Sequence, residues 1–324
     1  MHIRTLGRSG LRVSALCLGT NTFGWTADEA ESHRILDAAL DAGIFFIDTA
    51  DVYSRWASGH VGGESETVIG RWLAGRERTR VVIATKVRAA MGAQPAANDE
   101  GLSRVHIIRA CEDSLRRLGT DYIDLYQAHW DDDLTPLEET LEAFNTLVQA
   151  GKVRYIGVSN TPAWRLIRAR WISQVNHLVG YISLQPHYSL VHRAEYEREL
   201  MGACSDQGIG VIPYSPLAVG FLTGKYTRDN HTPDTARGGD SKLVQRLLNT
   251  PQAFDVLDEA RAIAEAHGVP VAHVALAWTL SRPNISAPIV GARTVAQLQE
   301  VTGAVELTLT ADELDRLNRV SDGM

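Results

Sequence analysis

Phe45-Phe46-Ile47-Asp48-Thr49, Val81-Val82-Ile83-Ala84-Thr85-Lys86 and Tyr122-Ile123-Asp124-Leu125-Tyr126-Gln127-Ala128-His129 are short apolar runs that reach a chemically capable residue at or near their ends. Most runs of this kind along the chain are continuous rather than alternating, the pattern of parallel strands covered on both faces. Five similar runs extend the series: 15–19, 155–160, 181–185, 210–215 and 287–292. Segments between them carry apolar residues at helical spacing, as with Ile35, Leu36, Ala39 and Leu40, or Leu137, Leu141, Phe144 and Leu147. Thr135-Pro136-Leu137-Glu138 reads as a capping box with proline opening a helix that Gly151 ends, and Thr161-Pro162 repeats the start. Eight strands each followed by a helix predict an α/β fold of the (β/α)8 TIM-barrel kind. Two short strands around Gly7-Arg8-Ser9-Gly10 predict a hairpin over the barrel floor. A long Gly/Pro/Asp-rich loop follows strand seven near 216–250, with helices expected at about 252–267 and 271–282. No composition break marks a linker, so residues 1–324 are expected to form one domain.

The whole composition agrees with a globular protein of this size. The chain has 324 residues, 32 Lys+Arg against 39 Asp+Glu, and a formal charge of −7, which offers no electrostatic footprint for nucleic acid or for an anionic membrane. Cys17, Cys111 and Cys204 form no CxxC pair, which excludes a Cys-rich zinc site and suits a reducing cytoplasm. The N-terminus lacks the apolar stretch of a signal peptide, and the longest apolar runs are too short for a membrane span. His60 has no second ligand at suitable spacing, so no metal is expected. Residues 157–161 miss the nucleophile-elbow pattern at the last position.

In barrels of this kind the active site is built at the C-terminal ends of the strands. Asp48, Lys86 and His129 fall there on strands two, three and four, and Tyr53 follows Asp48 by five residues. Each alone is ordinary: a helix cap, a surface cation, a buried imidazole, a packed ring. Their coincidence at one rim points to chemistry.

The patterns F-I-D-T-A-x-x-Y, A-T-K and L-Y-Q-x-H, ending at Tyr53, Lys86 and His129, resemble the aldo-keto reductase family, and the likeness runs from Leu18-Gly19-Thr20 to Glu300. The resemblance implies a catalytic tetrad of Asp48, Tyr53, Lys86 and His129. Carbonyl reduction by hydride needs a proton at the developing alkoxide, which Tyr53 would donate. Lys86 is expected to lower the phenol's pKa, Asp48 to keep Lys86 charged, and a neutral His129 to orient the carbonyl.

There is no G-x-G-x-x-G after a strand, and Gly220 to Lys225 misses the P-loop spacing, so a nucleotide must be held by the barrel rim. The resemblance implies NADPH, with Ser159, Asn160 and Gln185 on the carboxamide and Tyr214 stacked on the nicotinamide. Ser215, Pro216, Leu217 and Lys225 would cover the pyrophosphate, and Gly19, Thr20, Asn21 and Asp48 would line the same cleft. Gly291 and Arg293 open a helix carrying Gln297 and Glu300, a placement suited to a 2′-phosphate, with Arg237 a second candidate. Val301 stands where many relatives carry an adenine-binding Asn.

Trp25, Trp56 and Trp130 lie in loops beyond strands one, two and four and are expected to wall a pocket for a small carbonyl substrate. Trp72, Trp164, Trp171 and Trp278 fall on helices and are expected to cover core. The alternative function is a cofactor-binding regulatory subunit, because the beta subunits of voltage-gated potassium channels resemble the same family and share the Gly224-Lys225-Tyr226 segment. In those the His129 position is Asn, which favours a working catalyst here. Oligomeric state is open at this level.

Overall fold

The computed structural model describes residues 1–231 and 241–324. A two-stranded antiparallel hairpin comes first, β1 (Ile3–Thr5) and β2 (Arg12–Ser14). Eight parallel strands follow: β3 (Cys17–Gly19), β4 (Phe46–Asp48), β5 (Val82–Val87), β6 (Ile123–Ala128), β7 (Val153–Ser159), β8 (Ser183–Gln185), β9 (Gly210–Val211) and β10 (Ile289–Gly291). From β3 to β9 each strand pairs with the next in sequence, and β10 lies beside β3, giving the order β10-β3-β4-β5-β6-β7-β8-β9. At the other edge Val211 donates to Asn284 O and accepts from Ser286 N–H, both at 2.8 Å, and Ile289 N–H donates to Pro213 O at 2.9 Å. Each of the eight expected runs overlaps one of these strands.

Helices cover the sheet. They are α1 (Glu29–Asp41), α2 (Glu64–Leu73), α3 (Arg104–Leu118), α4 (Leu137–Gln149), α5 (Ala163–Val175), α6 (Met201–Gln207), α7 (Lys242–Leu248), α8 (Pro251–His267), α9 (Val271–Ser281), α10 (Val295–Thr302) and α11 (Ala311–Val320). Alternation along the short strands divides the core in two. Leu18, Ile47 and Ile83 pack outward with Ile35, Ile107 and Phe144 of the helices. Cys17, Phe46, Ala84, Leu125 and Ile212 form a second cluster, which Leu6 and Val13 of the hairpin segment join. Burying each leucine, isoleucine, valine or phenylalanine of these clusters contributes about 1.5–3 kcal/mol. The hairpin turn approaches the chain so closely that a Cβ on Gly7, at φ +58°, would lie 2.5 Å from Gly210 N. Only glycine fits there.

Two local expectations are corrected. No capping box opens α4: Thr135 Oγ1 donates instead to Asp132 Oδ2 at 2.7 Å, and Pro136 is the cap residue with no side-chain bond. A capping box does form at Thr310 and Glu313, before α11. Gly151 does follow α4, in the left-handed conformation at φ +74°. Trp72 and Trp278 are buried as expected, but Trp164 and Trp171 are each 60% exposed. The buried face of α5 is Ala163, Leu166, Ala169, Ile172 and Ser173, which turns positions 164 and 171 outward.

Candidate active site

Asp48 ends β4 and Lys86 lies near the end of β5, and both are essentially inaccessible to solvent, at 1% and 0%. Lys86 Nζ spends all three of its protons on oxygen: Asp48 Oδ2 at 2.6 Å, Thr49 O at 2.8 Å and Tyr53 Oη at 2.9 Å. The phenol oxygen therefore accepts from the ammonium, and its own proton is left to donate elsewhere. Tyr53 comes from the loop after β4, which is pinned at the residue that follows it. Ser54, at φ +72°, donates through Oγ to Phe23 O at 2.7 Å, and His60 Nδ1–H donates to Ser54 O at 3.0 Å. His129 follows β6 directly, its N–H bonded to Val87 O at 2.9 Å, and its ring meets Tyr53 edge to face at 5.9 Å. The four sequence-expected residues do converge.

Burial dominates their electrostatics. It pushes the Tyr53 phenol up to about 12, although Lys86 pulls in the opposite direction. The expected lowering by Lys86 is thus present but outweighed by desolvation, and the phenol stays protonated across ordinary pH. Burial also works against the Lys86 ammonium, yet Asp48 and the two side-chain hydrogen bonds hold its pKa above the usual lysine value. His129 is held well below its usual value by burial and then by Lys86, so it is neutral.

Sequence reading missed Gln127. Its Nε2 donates to Asp48 Oδ1 at 3.3 Å, and Gln185 Nε2 donates to the same oxygen at 2.9 Å. Asp48 thereby receives donors from β5, β6 and β8. The usable signal was position: Gln127 is the register partner of Lys86 on β6.

Tyr53, His129 and Asp48 open onto a cavity of about 450 Å³. Gly19, Thr20, Asn21, Ser159, Asn160 and Gln185 line it on the strand side. Tyr214, Ser215, Pro216, Leu217 and Lys225 line it after β9, and Gly291, Arg293, Gln297 and Glu300 after β10. Val301, Val219 and Gly220 also border it, the last two unanticipated. Arg237 lies outside the described residues. The segment after β9 is unusual: Ser215, Ala218 and Val219 have φ of 54°, 49° and 57°. A left-handed conformation costs roughly 1–2 kcal/mol for a residue with a Cβ.

Several polar groups of the cavity wall are already committed. Asn160 Nδ2 donates to His129 O and Ser159 Oγ, and Asn160 Oδ1 accepts from Tyr214 Oη at 3.0 Å. Ser159 Oγ donates to Gln185 O at 2.7 Å. What Ser159, Asn160 and Gln185 retain is acceptor capacity, which suits an incoming amide NH2. The side-chain cations of Lys225 and Arg293 make no ion pair among the described residues, which leaves both available to anionic groups. Phosphate, ribose and carboxamide chemistry therefore fits this donor set.

The three loop tryptophans divide. Trp130 borders the cavity and stacks on His129 at 3.8 Å. Trp25 and Trp56 do not border it; they meet edge to face at 5.7 Å, with Trp56 6.1 Å from Tyr53. They stand 45% and 51% exposed at the outer rim. Among the described residues no cluster of three or more His, Cys, Asp or Glu is arranged to hold a metal ion, and no helix is long and apolar enough to cross a membrane.

Known proteins share this chain throughout its length. Residues 15–322 match the model of the aldo/keto reductase family. An uncharacterized oxidoreductase, YrpG, of Bacillus subtilis (strain 168) is 43% identical, with 100% of this chain and 97% of the relative covered. A probable voltage-gated potassium channel subunit beta of Arabidopsis thaliana is 36% identical, covering 99% and 96%. The versiconal hemiacetal acetate reductase of Aspergillus parasiticus is also 36% identical, covering 98% and 96%. On the match over residues 15–322 and these full-length likenesses, the chain belongs to the aldo/keto reductase family.

Proposed function

We propose that this protein is an NADPH-dependent reductase of aldehydes or ketones, built as one closed (β/α)8 barrel over residues 1–324. Family membership supports NAD(P)H-dependent oxidoreductase chemistry in general. The closed ring is supported by the backbone bonds of Val211 and Ile289 across the β9 edge. The observation that carries the reaction is the chain Asp48–Lys86–Tyr53, ending in a phenol proton at the wall of the cavity.

NADPH, when bound, supplies the hydride. Lys225 and Arg293 hold its phosphates, Arg293 the 2′-phosphate through its planar fork. Asn160 Oδ1 and Gln185 Oε1 accept from the carboxamide, and Tyr214 offers its ring face. Tyr53 then gives its proton to the substrate oxygen as negative charge develops there, and the Lys86 ammonium stabilises the phenolate left behind. Asp48 keeps that ammonium charged and fixed. The uncharged His129 ring beside Tyr53 orients the carbonyl. Trp130, with Trp25 and Trp56 further out, forms an apolar wall for a small carbonyl compound. The three cysteines are free and buried, which supports a reducing, cytoplasmic setting.

The second reading is a cofactor-binding regulatory subunit, motivated by relatives named as potassium channel beta subunits. Steady NADPH oxidation with a panel of aldehydes and ketones supports the reductase. Tight NADPH binding with no turnover on any of them would replace it with the regulatory reading.

A further inference from the structure

His187 lies two residues beyond β8, and Tyr214 three beyond β9, joined by a parallel bridge. Tyr214 N–H donates to Pro186 O at 3.0 Å, so the two side chains leave adjacent strands on the same side. Their rings are nearly parallel, 10° apart, with centroids at 5.1 Å. Behind His187 lies a third ring, His192, at 3.8 Å and 20°. His192 is itself tethered through Nε2 to Glu195 Oε2 at 2.9 Å. Tyr214 thus has its hydroxyl fixed by Asn160 and a ring face supported by a stack of two imidazoles.

We infer that His187 is a positioning residue for the cofactor: its ring sets the plane of Tyr214 and so the seat of the nicotinamide. The inference rests on the reading of Tyr214 as the nicotinamide platform. A flat, uncharged ring is what the place requires. A flexible aliphatic chain there would let Tyr214 tilt about its Cβ, because one hydrogen bond at the far end restrains position but not rotation. A cation there would face a second imidazole and Arg246. Burial, then His192 and Arg246, hold the His187 pKa down to about 3, so the ring against Tyr214 is neutral at working pH. The Nε2 atom of His187 is buried and makes no hydrogen bond, so the imidazole serves here through its shape.

The test measures binding rather than turnover. NADPH and adenosine 2′,5′-bisphosphate, which lacks the nicotinamide half, are titrated calorimetrically into wild type, His187→Leu, His187→Phe and Tyr214→Ala. His187→Leu is expected to weaken NADPH about tenfold, the scale of one lost ring pair with its disorder, and to leave the bisphosphate within about twofold. His187→Phe, flat and neutral, is expected to restore NADPH to within about threefold of wild type. Unchanged NADPH affinity in His187→Leu overturns the inference. So does equal weakening of both ligands, which marks a merely structural residue, or failure of His187→Phe to rescue. If Tyr214→Ala binds NADPH like wild type, the platform reading falls first and this inference with it. A wild type that does not bind NADPH overturns the proposed function itself.

Discussion

Replacing Lys86 by Met tests the proposed proton donor most severely. The substitution keeps the length of the side chain and removes the charge that stands 2.9 Å from the Tyr53 oxygen. A unit cation at that distance from a phenolate is worth about 6 kcal/mol at an effective dielectric of 20. Part of this is expressed in the transition state, where proton transfer is incomplete; one half corresponds to roughly a hundredfold in rate and the whole to about 10⁴. The expected result is a fall in kcat of about 10²–10⁴ with NADPH affinity changed by no more than about threefold. Single-turnover mixing of the enzyme–NADPH complex with an aldehyde, followed by nicotinamide absorbance, isolates the step. Lys86→Met also leaves the Asp48 carboxylate buried with only the Gln127 and Gln185 amides, at a stability cost of about 3–5 kcal/mol. Circular dichroism and the NADPH titration therefore accompany the kinetics to establish a folded, cofactor-competent variant. A folded Lys86→Met enzyme that reduces aldehydes within tenfold of wild type would refute the reasoning.

Tyr53→Phe is expected to lose several orders of magnitude of reduction while binding NADPH normally; ordinary turnover would end the proton-donor assignment. Arg293→Ala is expected to weaken NADPH about tenfold or more and NADH little, measured as dissociation constants, because only NADPH carries the 2′-phosphate. Arg117→Met removes the partner of Glu66, a wholly buried carboxylate bonded to Arg117 Nε at 2.7 Å and to Thr85 Oγ1 at 2.5 Å. Its urea midpoint is expected to fall by an amount corresponding to about 3–5 kcal/mol, with unchanged slope. The pH dependence follows from His129 and His187, both held below their ordinary value. Between about pH 6.5 and 3 the unfolded chain binds more protons at these sites than the native protein, so stability falls as pH falls through that window. Thermal melts should show a shallower acid slope in His187→Phe than in wild type.

The fold was legible because covered parallel strands leave largely continuous apolar runs, and all but the run at 210–215 end within one residue of their strand's end. The convergence of Asp48, Lys86 and His129 was legible for the same reason, since they stand at the ends of consecutive runs. Gln127 was not, because a glutamine between Tyr126 and Ala128 carries no mark of the carboxylate it faces across two strands. The sign of the Tyr53 shift escaped too: pairwise distance argues for lowering, but desolvation depends on the whole enclosure. Trp164 and Trp171 show a different limit. Their seven-residue spacing puts them on one face of α5, and only the contacts of Leu166 and Ile172 decide which face is buried. The left-handed run at Ser215, Ala218 and Val219 had no local signal either, since a valine is among the last residues such backbone would select.

Asp48 has a consequence for how relatives of this chain are read. Its two oxygens rivet residues from three other strands, so replacing it would loosen the rim whether or not any substrate were ever turned over. A descendant that abandoned catalysis would still keep the aspartate and its lysine for mechanical reasons. Retention of that pair is then a record of architecture, and under the proposed mechanism the fate of the tyrosine suspended above it is the better witness to a living enzyme.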